Sequence, residues 1–393
     1  MGVCLLLLGY VMGAAFLPPD GGIAGILIAV MLWAILSLIG YFSGDKILLA
    51  TSHAKEVSRD IHPQLFNIVE EMKIAANLPA IPKIYIIDEA APNAFATGRK
   101  PEKSAVAVTT GLLTRLNRDE LQGVIAHEMS HIVNRDILFM TFAGILLGSI
   151  VLISDTFLRG ARFSHRSSRR YQSGRSSNIG GQAQAAMLLV AIVFVILAPI
   201  AARLLYLAIS RRREYLADAS GARLTRYPEG LASALEKISS AGLKLDSANK
   251  VTAPMYIANP FEERGMGFSS LTSTHPPIEE RIKILRHMAH GVNYLNYQKA
   301  YSAVTGRNEA LIPPSGLKDV EEIPARNAVF EEPKKQGAKD RAREIGDLTR
   351  AVNQFTFLIC TCGLKIKVPP DFKQPKVICP RCWQTIKWLD SKS

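Results

Sequence analysis

The stretch Asn117–Asp136, NRDELQGVIAHEMSHIVNRD, decides how this sequence is read. Asn117 stands where a helix N-cap belongs, and Glu120 follows three positions later, the spacing of a capping box. Behind them Leu121, Val124, Ile125, Ile132 and Val133 keep a 3.6-residue period, which predicts a helix over 117–136 running straight on into the apolar residues beyond. Within it lies His127-Glu128-Met129-Ser130-His131. Residues four apart share a helix face, so both imidazoles can meet one ion with Glu128 beside them. Zinc takes neutral imidazole nitrogens plus one further N, O or S donor and keeps a position open for water. It acidifies that water, and a neighbouring carboxylate can take the proton. Chance alone matches three such fixed residues in a chain of this length with a probability on the order of 1%.

Outward from this helix, four runs contain no Lys, Arg, Asp or Glu: Met1–Leu17, Gly21–Phe42, Ile137–Ser154 and Ala185–Ala202. They carry much of a composition that is 48% hydrophobic yet only 7% aromatic. A bilayer-crossing helix needs roughly 17–25 apolar residues, so each run is long enough, and four together point to an integral membrane protein. The first run lacks the basic start and A-x-A-like site of a signal peptide, and Pro18-Pro19-Asp20-Gly21-Gly22 reads as a tight turn into the second. Cys4 reads as a buried free thiol.

A third metal ligand must come from another element. Glu214, in Ser210–Asp218 (SRRREYLAD), lies just beyond the fourth run as His131 lies just before the third. If those two runs form an antiparallel hairpin, their ends are neighbours. Asp218, one turn on, could then hold an imidazole through its other nitrogen. A Glu and an Asp four apart are otherwise a solvated helix face.

Lys83–Asp88 and Ser104–Thr109 read as strands with Asn93–Gly98 (NAFATG) between them, and helices are expected over Pro63–Leu78, Glu229–Ser240 and Pro277–Met288. The fourth run should continue as helix through Arg203–Leu224. Thr305–Arg350 is charged, holds four prolines and has little periodicity, the pattern of a linker. The formal charge of +13 raises nucleic acid as a partner, but beside membrane spans the lipid headgroups are the commoner one.

Four segments in order, NAFATG at Asn93–Gly98, HEMSHIVNRD at His127–Asp136, SRRREYLAD at Ser210–Asp218 and THPP at Thr274–Pro277, resemble the HtpX branch of the membrane zinc metallopeptidases, the family that also holds the CAAX prenyl proteases. The likeness runs from about residue 43 to residue 287. It implies an α+β, mainly helical, zincin-like (gluzincin) metallopeptidase domain with four transmembrane helices. In that family His127, His131 and Glu214 become zinc ligands, Glu128 the general base and Asp218 a support behind the ligands. The resemblance makes Asn93, Ala94, Phe95 and Ala96 the edge that grips substrate backbone, and makes His275 the residue that steadies the oxyanion. Without it, Asn93 is a turn residue, His275 an ordinary helix-entry residue and Arg281 a cleft support or a surface charge. The family further implies quality control and stress response, with unfolded or membrane proteins as substrates.

The tail departs from the short family pattern. Cys360-x-Cys362-Gly363 and Cys379-Pro380-Arg381-Cys382 are separated by sixteen residues, a spacing that suits a small β zinc ribbon with one thiol pair per knuckle. The C-x-C pair is tighter than usual, and Trp383 stands where Gly is common. Two zinc ions are thus expected, one catalytic and one structural. The chain divides into two spans over 1–43, a peptidase domain over 44–300 interrupted by spans at 137–158 and 185–209, a charged linker over 301–353, and the ribbon over 354–393.

Four spans place both termini and the catalytic segments on one side, opposite the loop bearing Arg159, Arg162, Arg166, Arg169, Arg170 and Arg175. Eleven basic residues near the catalytic ends of the spans stand against those six, which favours a cytoplasmic catalytic side in the cell (inner) membrane. Spans three and four lying shallow, with the arginines also cytosolic, is the alternative. A rival function is a membrane-tethered binding module whose ribbon holds a protein or nucleic acid through Lys365, Lys367, Lys373, Lys376, Arg381, Lys387, Trp383 and Trp388. An intact H-E-x-x-H argues for the enzyme, since a tether needs none of it; nucleic acid is not the expected partner.

Overall fold

The computed structural model describes residues 1–16, 21–167, 178–241, 257, 275–288, 291–313, 317, 324–327, 337–372, 374 and 376–387. The turn at Pro18-Pro19-Asp20, the side chains of the arginine-rich loop, Thr274, Lys373 and Trp388 lie outside the described residues. The fold is mainly helical α+β.

Helices α1 (Gly2–Phe16), α2 (Gly21–Thr51), α6 (Asp136–Ser167) and α7 (Asn178–Thr225) pack side by side around Leu5, Leu8, Val11, Ala29, Ile150, Val195 and Ala198. Their outer faces are apolar as well, with Leu27, Met31, Leu38, Leu152, Leu197 and Ile200 exposed. Helices apolar all round bury themselves in a large core or a bilayer. Among the described residues two helices are long and apolar enough to cross a membrane, Gly21–Thr51 and Asp136–Thr156; Gly2–Ala14 is a shorter apolar helix. A Cβ on Gly25 would sit 2.0 Å from the Gly9 carbonyl, so α1 and α2 touch backbone to backbone, as small residues permit between helices in lipid.

The remaining elements form a unit on one end of that bundle. β1 (Lys55–Glu56), β2 (Lys83–Ile87), β3 (Ala94–Lys100) and β4 (Lys103–Thr109) make one sheet in the order β1-β2-β4-β3, with β2 and β4 parallel and the other pairs antiparallel. NAFATG is therefore itself the start of a strand, at the sheet's edge. Thr109 N–H donates to Asn93 O at 3.0 Å, so Asn93, Phe95 and Thr97 spend their main chain on β4. By the alternation of an antiparallel ladder, Ala94, Ala96 and Gly98 present theirs to the open edge.

Between α3 (Pro63–Ala75), α4 (Thr110–Arg115), α8 (Pro228–Ser240), α9 (Ile278–Arg286) and α10 (Tyr294–Thr305) runs the central helix α5 (Arg118–Val133). Its capping box forms as expected: Asn117 Oδ1 accepts from Glu120 N–H at 2.9 Å, and Glu120 returns a carboxylate to Asn117 N–H at 2.8 Å. The same carboxylate accepts from Ser233 and Lys237 on α8, both at 2.7 Å. The expected uninterrupted passage into the third apolar run does not occur. Arg135 adopts φ +56°, which ends the α5 ladder, and α6 starts afresh at Asp136.

The stretch 301–353 is structured at several points where a plain linker was expected. α10 extends to Thr305, Leu311 and Ile312 enter the main core, and Arg326 donates to Asp119 (2.7 Å), Gln122 (2.8 Å) and the Thr225 carbonyl (3.0 Å). α11 (Ala338–Val352) buries Val352 in the main core and packs Leu348 against it. Ile345, Leu348 and Val352 form a stripe one residue wide, too thin to register as periodicity amid so much charge. Beyond α11, β5 (Thr356–Ile359) pairs with β6 (Lys365–Val368) and β7 (Lys376–Ile378) with β8 (Thr385–Lys387). Asp347 of α11 pairs with Lys365 at 2.9 Å and Lys367 at 2.6 Å, and Lys55 of the edge strand β1 donates to Asn353. The tail thus rests on α11, and α11 rests on the peptidase unit. Val352→Ala should lower stability by about 1–2 kcal/mol, from two lost methyl groups in a packed site. Thermal unfolding of the detergent-solubilised protein measures this, and an unchanged midpoint would mean that α11 is not docked.

Candidate active site

α5 carries His127 and His131 on one face, and α7 brings Glu214 against them. His127 Nε2 lies 3.3 Å from His131 Nε2 and 3.7 Å from Glu214 Oε2, and His131 Nε2 lies 3.5 Å from Glu214 Oε1. Donors at about 2.0–2.1 Å from a tetrahedral zinc stand roughly 3.3–3.4 Å from one another, so the two imidazole nitrogens and the Glu214 carboxylate fit round one ion. The close crossing of α5 and α7 depends on Gly221, where a Cβ would meet His127 N at 3.1 Å.

Each imidazole is held by a carboxylate at its other nitrogen. His127 Nδ1 is 2.9 Å from Asp218 Oδ1, the support expected from the resemblance. His131 Nδ1 is 3.1 Å from Asp136 Oδ2, a partner that the sequence reading did not single out. Asp136 closes five residues after His131 because the chain turns at Arg135; with continuous helix the two would point apart. Arg213, next to Glu214, donates to the other Asp136 oxygen, so the catalytic ends of α6 and α7 are joined there. Its i, i+5 spacing from His131 is the only sequence signal that Asp136 offered.

Arg281 is the fully buried cation beneath this set. It donates to Asp218 through Nε at 2.8 Å and Nη2 at 2.7 Å, and through Nη1 to the Ile257 carbonyl at 3.0 Å, with Glu214 Oε2 3.5 Å away. Of the two readings open from sequence, cleft support describes its position. Burial raises the Glu214 pKa, but His275, His131 and Arg281 outweigh it and hold the carboxyl well below its usual range. Burial keeps His127 neutral, below the ordinary imidazole value, only partly offset by Asp218. An anionic Glu214 and a neutral His127 are the protonation states a metal ligand requires.

Glu128 faces the same centre, buried, with the Ala96 main chain hydrogen-bonded to it, and burial pushes its carboxyl up to about 7. His275 is buried beside Glu214, its Nδ1 3.0 Å from Oε2. Asn93 turns its Oδ1 to Ala94 N–H at 3.0 Å, and Ala94 O accepts from Ile257 N–H at 3.0 Å on the open edge of β3. Phe95, expected at the substrate edge with its neighbours, points the other way. Its side chain is fully buried against Leu48, Ile87 and Ala107, because alternate residues of a strand face opposite sides.

The tail brings its four thiols together: Cys360 Sγ is 3.4 Å from Cys382 Sγ and Cys362 Sγ 3.6 Å from Cys379 Sγ, all within 4.8 Å of one another and none in a disulfide. The two hairpins close in similar turns, the second one residue longer than the first. Cys360 N–H donates to Leu364 O and Cys379 N–H to Gln384 O, each at 2.9 Å, and Gly363 (φ +79°) and Trp383 (φ +61°) occupy the same left-handed position. Trp383 does by strain what a glycine would do freely.

Peptidase family M48 matches residues 61–289 of this chain. The chain is 48% identical over 267 residues to Protease HtpX homolog of Dictyoglomus turgidum, covering 68% of this chain and 83% of that protein. It is 48% identical over 271 residues to Protease HtpX homolog of Pyrococcus abyssi, covering 68% and 88%. The crystal structure of S. mikatae Ste24p aligns with 72% of this chain and 62% of that one, at a TM-score of 0.43 and 18% identity, too loosely to bear on the site. Residues beyond 289 lie outside the family match.

Arg281→Met should destabilise the fold by about 3–5 kcal/mol, because it leaves the Asp218 carboxylate buried without its partner. Denaturant unfolding in detergent gives the value; a loss below one kcal/mol would mean that water reaches Asp218.

Proposed function

Because this chain belongs to peptidase family M48, we propose that His127, His131 and Glu214 hold its zinc ion and that Glu128 is the general base of an endopeptidase acting on unfolded or membrane proteins. The protein is a membrane zinc protease. The observation that carries the assignment of residues is the convergence of two imidazole nitrogens and the Glu214 carboxylate at 3.3–3.7 Å, with both imidazoles held from behind by buried carboxylates.

Bound zinc would polarise the scissile carbonyl and acidify the attacking water. Glu128 takes that water's proton as its oxygen adds to the carbonyl carbon, then gives it to the amine nitrogen as the C–N bond breaks. Its raised pKa suits a group that must both accept and release a proton near neutrality. Substrate lies along the open edge of β3 beside Ala94 and Ala96, an incoming backbone N–H taking the place at Ala94 O that Ile257 N–H holds. That edge already accepts one main-chain partner, Ile257 N–H, which supports the reading. Asn93 orients the edge through Ala94 N–H, and His275 steadies both Glu214 and the oxyanion.

In the same proposal α1, α2, α6 and α7 are four spans of the cell (inner) membrane, with the peptidase unit and tail on the cytoplasmic side. The apolar outer faces of the bundle support the spans. Protein quality control under stress is the role this architecture serves. The tail forms a zinc ribbon with Cys360, Cys362, Cys379 and Cys382 as ligands; thiolates at about 2.3 Å from one tetrahedral zinc stand roughly 3.8 Å apart.

Glu128→Gln should retain zinc and lose hydrolysis of casein by at least about a hundredfold. Glu214→Ala should weaken metal binding at the catalytic centre where Glu236→Ala, on the exposed face of α8, should not. Wild-type cleavage by the first, or equal metal retention in the other two, would refute the roles given. Metal analysis of the whole protein should find two zinc ions, and Cys379→Ser with Cys382→Ser should remove one of them; a single ion in the parent would rule out the ribbon.

A further inference from the structure

Beside the candidate metal ligands a shallow hollow of about 10 Å³ opens to solvent, lined by His131 on one side and by Arg99, Lys100, Arg135, Ile137 and Leu138 on the others. By the same measure one water needs roughly 10–15 Å³, so the hollow seats about one polar group, such as a carboxylate oxygen, with the rest of the ligand in solvent. No acidic residue lines it. Three basic residues therefore line one opening next to the candidate catalytic centre, and among the described residues no carboxylate pairs with any of them.

Two departures from regular backbone place the arginines at its rim. The β3–β4 register shifts between Gly98 and Lys100, and Gly98 takes φ +129°, so Arg99 is the extra residue of a bulge. Bulges re-aim a side chain, and the Arg99 guanidinium comes to rest over the rings of Tyr41 and Phe42, 5.5 and 5.6 Å from their centroids. That stacking fixes the cation while leaving its in-plane N–H donors free to point elsewhere. Arg135 sits in the left-handed region at φ +56°, where glycine would be unstrained. The chain carries that strain at a residue that borders the hollow.

β3 leads from the cleft to this place. Arg99 is three residues beyond Ala96, about 10 Å along a strand at roughly 3.3 Å per residue. We propose that the hollow is an anion subsite of the peptidase, taking the carboxylate of an Asp or Glu side chain about three residues to one side of the cleaved bond. This rests on the reading of β3 as the substrate edge and adds a substrate class to it. A lipid phosphate would also suit the charge, and Ile137 lies in the first turn of α6. The presence of His131 in the wall favours the peptide, because a ligand seated there lies against the residues that do the chemistry.

The test uses full-length protein in zwitterionic detergent and a peptide with one cleavable bond. A single Glu, or Gln as its control, is walked from four residues before that bond to four after it. At one position about three residues away, kcat/KM for Glu should exceed that for Gln about tenfold, less at high salt. Arg99→Gln and Arg135→Gln should each bring that ratio towards one at unchanged zinc content, and the double change to Glu should invert it in favour of Lys. Arg286→Gln, in an exposed ion pair on α9, should leave the ratio as it was. Equal cleavage of the Glu and Gln peptides at every position, or a preference untouched by both arginine variants, would overturn the subsite while leaving the peptidase intact. Failure to cleave any peptide would remove the peptidase reading and the subsite with it. A defect of the arginine variants confined to vesicles of anionic lipid, absent in zwitterionic ones, would assign the cations to lipid and overturn the proposal.

Discussion

The pairing of Arg281 with Asp218, both wholly out of water, is the constraint around which the catalytic region is assembled. An unpaired ion at either position would cost several kcal/mol, so neither can be buried before the other. Once joined, they bring α9 against α7, and Asp218 in turn holds His127 on α5. The spare donor of Arg281 goes to the Ile257 carbonyl, whose own N–H reaches Ala94 on the sheet edge. A single guanidinium thereby ties three helices and the edge strand to the face that carries the candidate metal ligands.

The second carboxylate–imidazole contact extends that order towards the bundle. Asp136 is the first residue of α6, holds His131 and receives Arg213, the neighbour of Glu214. Two of the three candidate ligands therefore depend on how α6 and α7 meet at their catalytic ends. Displacement of those helices would alter donor geometry directly, because the contacts are buried and short of alternatives. A peptidase whose metal face is built on the ends of apolar helices cannot be separated from its bundle without losing the face.

The tail is attached more closely than its charge suggests. α11 has only a narrow apolar stripe, but Val352 and Leu348 reach the main core, and Asp347 on its other side meets two lysines of the first hairpin. Burial of one or two aliphatic side chains is a modest energy, a few kcal/mol at most. It suffices to place the hairpins beside the peptidase unit, whereas four thiols within 4.8 Å organise the hairpins themselves.

Local chemistry was legible from the residues alone. The capping box at Asn117 and Glu120, the imidazoles one turn apart, the four apolar runs and the paired cysteines depend on neighbours within a few positions, so spacing determines them. Glu214 and Asp218 were candidates from their place just beyond the fourth run, left open between site and surface until resemblance to a family favoured them, and the resemblance alone supplied the role of His275. What the sequence could not determine was anything set by a change of chain direction or by contacts far apart along the chain. The break at Arg135, which brings Asp136 to His131, looks like uninterrupted helix in the periodicity. Phe95 was grouped with the open edge because its neighbours are there, until strand pairing turned it inward. The docking of α11 and the convergence of Arg99 and Arg135 beside His131 were decided only by the tertiary structure, since each depends on the relative placement of separate elements, which burial and charge pairing settle across the whole fold.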